Sequence, residues 1–179
     1  MPKQKKKLDF VPLHPDDWDR FQREHATPSQ LSGVSPVTGL SLQETARRLE
    51  MSTPFPPSYT RLMSVVGPIK EPHSEVPRLL QLSEVQKFSE TEYGKMIIDC
   101  YCSEGEWVDQ EREGFTMRHL ESCLLISSTD GDSCLLLNPE KVDKAGEWQA
   151  VFFANWVPGA MPFPSFGAMM KFCHNEGEE

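Results

Sequence analysis

At 179 residues, with 38% hydrophobic and 25% charged residues, four Trp and ten Phe, the chain has the composition of one globular domain with dressed ends. It lacks any run of roughly 18 apolar residues, which excludes a spanning helix, and no apolar stretch follows Lys3, Lys5, Lys6 and Lys7, so no secretory leader is expected. Eighteen basic against 27 acidic residues leave a net charge of −9, which disfavours nucleic acid as a ligand and favours a basic protein, beside the plainer reading that the charge keeps the chain soluble.

Residues 1–40 read as an extension: a lysine-rich start, a short helix opening at His14-Pro15-Asp16-Asp17 with Trp18 and Phe21 on one face, then a Ser/Gly/Pro/Thr-rich stretch. A domain is expected over 41–173, followed by an acidic tail at 174–179. Ser41 and Glu44 have capping-box spacing, and Leu42, Thr45, Ala46 and Leu49 recur with helical period, predicting a helix over Leu42 to Glu50. The prolines of Thr53-Pro54-Phe55-Pro56-Pro57 end it in a rigid corner. Pro57 then suits the first position of a second helix, in which Tyr59, Leu62, Met63 and Val66 share a face, and Gly67-Pro68 stops it.

The pattern weakens between Gly67 and Glu92, where a loop and a short helix near Ser83 to Phe88 are expected. Strands are predicted at Lys95 to Tyr101, Ser122 to Ser127, Ser133 to Leu137 and Trp148 to Ala154. Thr129-Asp130-Gly131-Asp132 suits a hairpin turn, Asn138-Pro139 ends the third strand, and Ala145-Gly146-Glu147 turns into the fourth, so the last three strands form a meander. Past Pro158, Pro162 and Pro164, Ser165 is placed to cap a helix of about Phe166 to Phe172. The expected class is α+β: an antiparallel sheet with a meander near the C-terminus, flanked by an N-terminal helix hairpin and a C-terminal helix.

Two segments resemble a known family. Phe55-Pro56-Pro57-Ser58-Tyr59-Thr60-Arg61-Leu62-Met63, closed by Val66-Gly67 where the family carries Asn-Gly, is similar to the signature of the SUKH superfamily. Asp130-Gly131-Asp132, Leu135-Leu136-Leu137-Asn138-Pro139, Gly146-Glu147-Trp148-Gln149-Ala150-Val151-Phe152-Phe153 and Phe163-Pro164-Ser165-Phe166 follow the order seen at the end of Smi/Knr-like domains. The resemblance runs from about Ser41 to Cys173. It implies a non-enzymatic binding module: bacterial members are chiefly immunity proteins that neutralise polymorphic toxins, often nucleases, and eukaryotic relatives are regulatory interaction proteins. The expected partner is a cognate toxin domain of basic character, with no membrane or nucleic acid, the chain itself being a monomer or weak homodimer. A regulatory scaffold of the Smi/Knr type is the alternative.

The segment from Asp99 to Glu113 holds six acids against Arg112, interleaved with Tyr101, Trp107 and Phe115. Acidic groups with embedded aromatics suit a steered and anchored contact with a basic partner, so Asp99, Tyr101, Glu104, Glu106, Trp107, Asp109, Glu111 and Glu113 are the candidate partner-binding residues; the alternative is a solvated acidic loop. Five scattered cysteines fit reduced thiols in a cytoplasm. Cys100 and Cys102 on one strand, with His119 four residues from Cys123, do not have the paired spacing of a zinc site. No nucleophile elbow, phosphate loop or calcium loop is present, so neither catalytic residues nor cofactors are expected.

Overall fold

A computed structural model describes residues 35–68, 77–103, 106–107, 111–129, 133–154 and 160–175. The expected helix at His14, the extension before Ser35 and the Asp130-Gly131-Asp132 turn lie outside these residues. The class is α+β: the described residues form four α-helices around a five-stranded antiparallel sheet ordered β1 (Gln86–Lys87), β6 (Leu124–Leu125), β7 (Ser133–Val142), β8 (Trp148–Ala154) and β9 (Ala160–Phe163), plus two small two-stranded hairpins.

Helix α1 covers Gly39–Arg48. It starts a turn earlier than the Ser41/Glu44 box predicts, because Thr38 is the cap: its Oγ1 accepts from the Ser41 amide at 3.2 Å. The Val37 amide donates to the Met63 carbonyl at 2.8 Å, tying the approach to α1 onto the next helix. That helix, α2, covers Pro57–Val65 with proline at its first turn, as expected, and buries Tyr59, Leu62 and Met63.

The helix expected near Ser83 to Phe88 is absent. The Leu80 amide donates to Ile126, the Phe88 amide donates to Cys123, and Gln86–Lys87 form β1 against β6 (Leu124–Leu125). These amides are committed to the sheet and cannot form an internal helical ladder. Arg48 Nη2 donates to the carbonyls of Leu82 (2.9 Å) and Val85 (2.7 Å), satisfying acceptors of the loop that precedes this edge strand.

The largest correction concerns Lys95 to Tyr101, which is helix and not strand. After a 3-10 turn at Phe88–Glu90, α3 runs over Glu92–Tyr101. Thr91 Oγ1 accepts from the Gly94 amide and donates to the Phe88 carbonyl, both at 2.8 Å. Tyr93, Ile97 and Tyr101 recur every four residues and pack inward, so helical period overrides the strand preference of Met96-Ile97-Ile98.

Two hairpins follow: β2 (Cys102–Ser103) with β3 (Glu106–Trp107), and β4 (Glu111–Arg112) with β5 (Phe115–Thr116). The second turns on Glu113 and Gly114, both at positive φ, as a two-residue turn requires. A second 3-10 turn, Met117–Glu121, leads into β6.

The meander β6-β7-β8 forms as expected, with β8 at Trp148–Ala154 and Gly146 at φ +82 in the turn before it. Strand β7 covers Ser133–Val142, so Asn138-Pro139 does not end it. A register shift between Asn138 and Val142 absorbs the residue that cannot donate, while Asn138 reaches Gln149 Oε1 at 3.1 Å and accepts from the Glu140 amide. Strand β9, Ala160–Phe163, was not expected because Pro162 reads as loop; it lies at the sheet edge, where a missing donor is tolerated. Ser165 accepts from the Ala168 amide and caps α4, Phe166–Asn175.

Both sheet faces are covered, which is why Ser133 to Asn138 are buried without alternation. On one face Trp148 stacks on Phe55 (6.1 Å), Phe163 meets Phe172 with tilted rings (5.1 Å), and Tyr59 meets Phe166 edge-on (5.2 Å), bringing α2 and α4 together. On the other, Phe153 meets Tyr101 of α3 at 6.1 Å and Gln149 Nε2 donates to the Glu113 carbonyl at 3.1 Å.

Candidate partner-binding surface

Two described parts of the acidic segment meet this second face, Tyr101 through its ring and Glu113 through its carbonyl. Asp99 is exposed on α3; Tyr101 is half-buried, its ring directed onto Phe153, and Phe115 is fully buried. These two aromatics therefore fasten the segment to the sheet instead of facing outward. Glu106 and Trp107 lie on β3, opposite Ser103 and Cys102, and their side chains are not among those described. Glu104 and Asp109 lie outside the described residues. Glu111 and Glu113 are exposed on the β4–β5 hairpin. Asp99, Glu111 and Glu113 have no ion pair among the described residues, where the pairs are Arg78–Glu84, Lys87–Glu90 and His119–Glu140.

The described residues hold thirteen acids and eleven basic groups. The acid excess of the domain therefore lies mostly in segments outside them.

Elsewhere, carboxylates serve the fold. Glu147 reaches back from the β7–β8 turn to α2: its Oε1 accepts from the Ser58 amide at 2.8 Å and its Oε2 from the Ser58 hydroxyl at 2.6 Å. The Ser58 hydroxyl also accepts from the Gly167 amide at 3.2 Å. One carboxylate thus caps a helix whose own N-cap, Pro56, offers no side-chain acceptor, and couples it to the start of α4. This joins three stretches that the sequence separates: Phe55 to Tyr59, Gly146 to Trp148, and Ser165 to Gly167. Glu147→Ala is expected to destabilise the protein by about 1–3 kcal/mol, and Glu147→Gln by less because one acceptor remains. Urea midpoints of the two variants test this ordering.

Among the described residues, Tyr59, Cys123 and Cys134 are buried titratable groups held above their ordinary values. Burial holds the Tyr59 phenol well above its usual range, and its hydroxyl, like Trp148 Nε1, has no hydrogen-bond partner among the described residues. Burial also raises both thiols, with the charges of Cys134 and Glu140 adding to the effect at Cys123. All three folded-state values exceed the unfolded ones, so these groups leave stability unchanged below the ordinary thiol value of 9.0. Above it the unfolded chain releases protons that the folded one retains, and stability falls, steepening once pH passes the tyrosine value of 10.0. Tyr59→Phe should remove the steepening above pH 10 and leave the decline due to the thiols, at little cost near neutrality, since it deletes a hydroxyl with no partner among the described residues. Urea midpoints followed from neutral pH to above pH 10 check both; a flat profile would mean that these groups ionise freely in the fold.

Cys100 sits on α3 and Cys102 on β2, so the two do not share a strand. His119 Nδ1 accepts from the Thr116 amide at 2.9 Å, within the cap of the second 3-10 turn. Among the described residues no group of three or more His, Cys, Asp or Glu is placed to hold a metal. Two open hollows of about 560 and 510 Å³ flank the Arg48 side chain, sharing Arg48 and Ser83. Arg48 is bonded to backbone carbonyls there, and Arg78, in the second hollow, pairs with Glu84 at 3.3 Å. The Gln81 amide, then Arg78, hold the Glu84 carboxyl below its usual range. Among the described residues no helix is long and apolar enough to cross a membrane.

Sequence reasoning read Tyr101 and Phe115 among the aromatics embedded in a partner contact, where the structure turns both inward, and it missed Glu147 as a clamp. A cap contributed 89 residues away leaves no local signal. The α3 helix did leave one, in Thr91 followed by Tyr93, Ile97 and Tyr101. No family model, no curated protein and no solved structure matches the chain.

Proposed function

We propose that the chain is a non-enzymatic binding module of the SUKH type, acting in the cytoplasm as an immunity protein that neutralises a cognate, basic toxin domain by direct contact. The observation that carries this reading is the Ser58–Glu147–Gly167 junction. The stretches that resemble Smi/Knr-like domains are far apart in sequence, and here they meet in one hydrogen-bonded cluster beneath Trp148, Tyr59 and Phe166. Two further features support a binding role: exposed carboxylates on α3 and the β4–β5 hairpin with no ion pair among the described residues, and five free cysteines that suit a reducing compartment.

The test is affinity purification of the tagged protein from its native cell, followed by calorimetric titration of the dominant partner. One stoichiometric, basic partner whose expression alone kills cells, and whose toxicity is relieved by co-expression of this chain, is the expected result. A spread of weak signalling partners would replace toxin neutralisation with a regulatory scaffold.

A further inference from the structure

The helical conformation of Glu92–Tyr101 changes which side chains the acidic segment presents. On a strand, Asp99 and Tyr101 would share a face. On α3, Tyr93, Ile97 and Tyr101 turn inward, while Glu92, Met96 and Asp99, spaced i, i+4 and i+7, form one outward stripe. Met96 is 53% exposed and is, with Leu40 and Val142, one of three large apolar side chains exposed among the described residues. Glu92 and Asp99 flank it, and neither has an ion pair among those residues. Lys95 beside the stripe is likewise unpaired, leaving the stripe and its neighbour with a net negative charge. Close approach of Gly94 to the Phe88 carbonyl and the Tyr101 ring on Phe153 set the orientation of the helix with Met96 outward.

We infer that the outward stripe of α3 is a docking surface for an amphipathic basic helix of a partner protein, with Met96 as the apolar anchor and Glu92 and Asp99 as its charged ends. This rests on the binding-module reading above and names the face that reading leaves open. The two carboxylates are seven residues apart, about 10 Å along the axis. A partner helix with Lys or Arg at positions i and i+7 and an apolar residue between them places a cation on each carboxylate and an apolar side chain on the thioether. Each carboxylate is exposed, so its pairing mainly steers and orients; desolvation of Met96 supplies the anchor.

The experiment uses the full chain, labelled with ¹⁵N and with ¹³C in the methionine methyl groups, titrated with a short Leu/Lys helical peptide whose lysines lie seven residues apart around leucines. The same peptide with Glu in place of Lys is the control. Saturable shifts at Glu92, Met96, Asp99 and the Met96 methyl, weakened by added salt and absent with the Glu peptide, are expected. Met96→Lys should weaken binding about tenfold, as should Asp99→Lys, which serves if the first variant does not fold. Shifts centred elsewhere, no saturable binding, equal binding of the Glu peptide or unchanged affinity in a folded variant would overturn the assignment. The two proposals fail separately. A native toxin that binds Met96→Lys as well as wild type removes this face and leaves the immunity reading; a peptide seated on α3 in a protein without a toxic partner does the reverse.

Discussion

Trp148→Ala is expected to destabilise the protein by about 3–5 kcal/mol, the range found when a buried aromatic is truncated in a core that cannot collapse around the cavity. Trp148 is fully buried at the start of β8, opposite Val142 and stacked on Phe55 at 6.1 Å. Its neighbour Glu147 caps α2, so a shift of the β7–β8 turn into the cavity would also lengthen the bonds to Ser58. Trp148→Phe separates these effects: it keeps most of the stacking and removes an indole N–H that has no partner among the described residues, and should cost only about 1–2 kcal/mol. Denaturant unfolding of the two variants measures the difference. Equal losses would mean that the indole nitrogen contributes as much as the ring, contrary to its unpaired state.

Gly94→Ala is expected to be the more disruptive change for its size. A Cβ on residue 94 would lie 1.8 Å from the Phe88 carbonyl oxygen and 2.8 Å from Thr91 Oγ1. The first contact is with backbone, which cannot swing aside as a flexible side chain can. The carbonyl concerned also accepts from Thr91 Oγ1 and from the Thr91 amide, so moving it dismantles the cap of α3. A loss of about 3 kcal/mol, at the upper end for overpacking, is expected even though alanine is the better helix former. If the α3 stripe is the docking face, this variant should also lose peptide binding at temperatures where the rest of the sheet stays folded, which amide exchange resolved along the chain would show. A variant as stable as wild type would mean that α3 is not packed on the Phe88–Glu90 turn as described.

Several elements were legible because their signals lie within about four residues. Pro57 at the start of α2, Ser165 capping α4, Gly146 in the turn before Trp148, and the apolar run of β8 each act on their own neighbourhood, and propensity and capping are local by nature. Tertiary structure decided the rest. Whether Lys95 to Tyr101 became helix or strand depended on what its inward side chains met, and they met Phe88 and Phe153 at helical spacing. Gln86–Lys87 and Ala160–Phe163 are too short to declare themselves; each is a strand because an edge of the sheet was there to accept its amides, and Pro162 fits only because that edge is the last. Ser58 and Glu147 are 89 residues apart, and no local rule pairs them. By itself the sequence determined the α+β class, the proline start of α2, the Ser165 cap of α4 and the meander; packing across the sheet decided that Tyr101 faces the core and Met96 the solvent, because burial, unlike propensity, is settled only between elements.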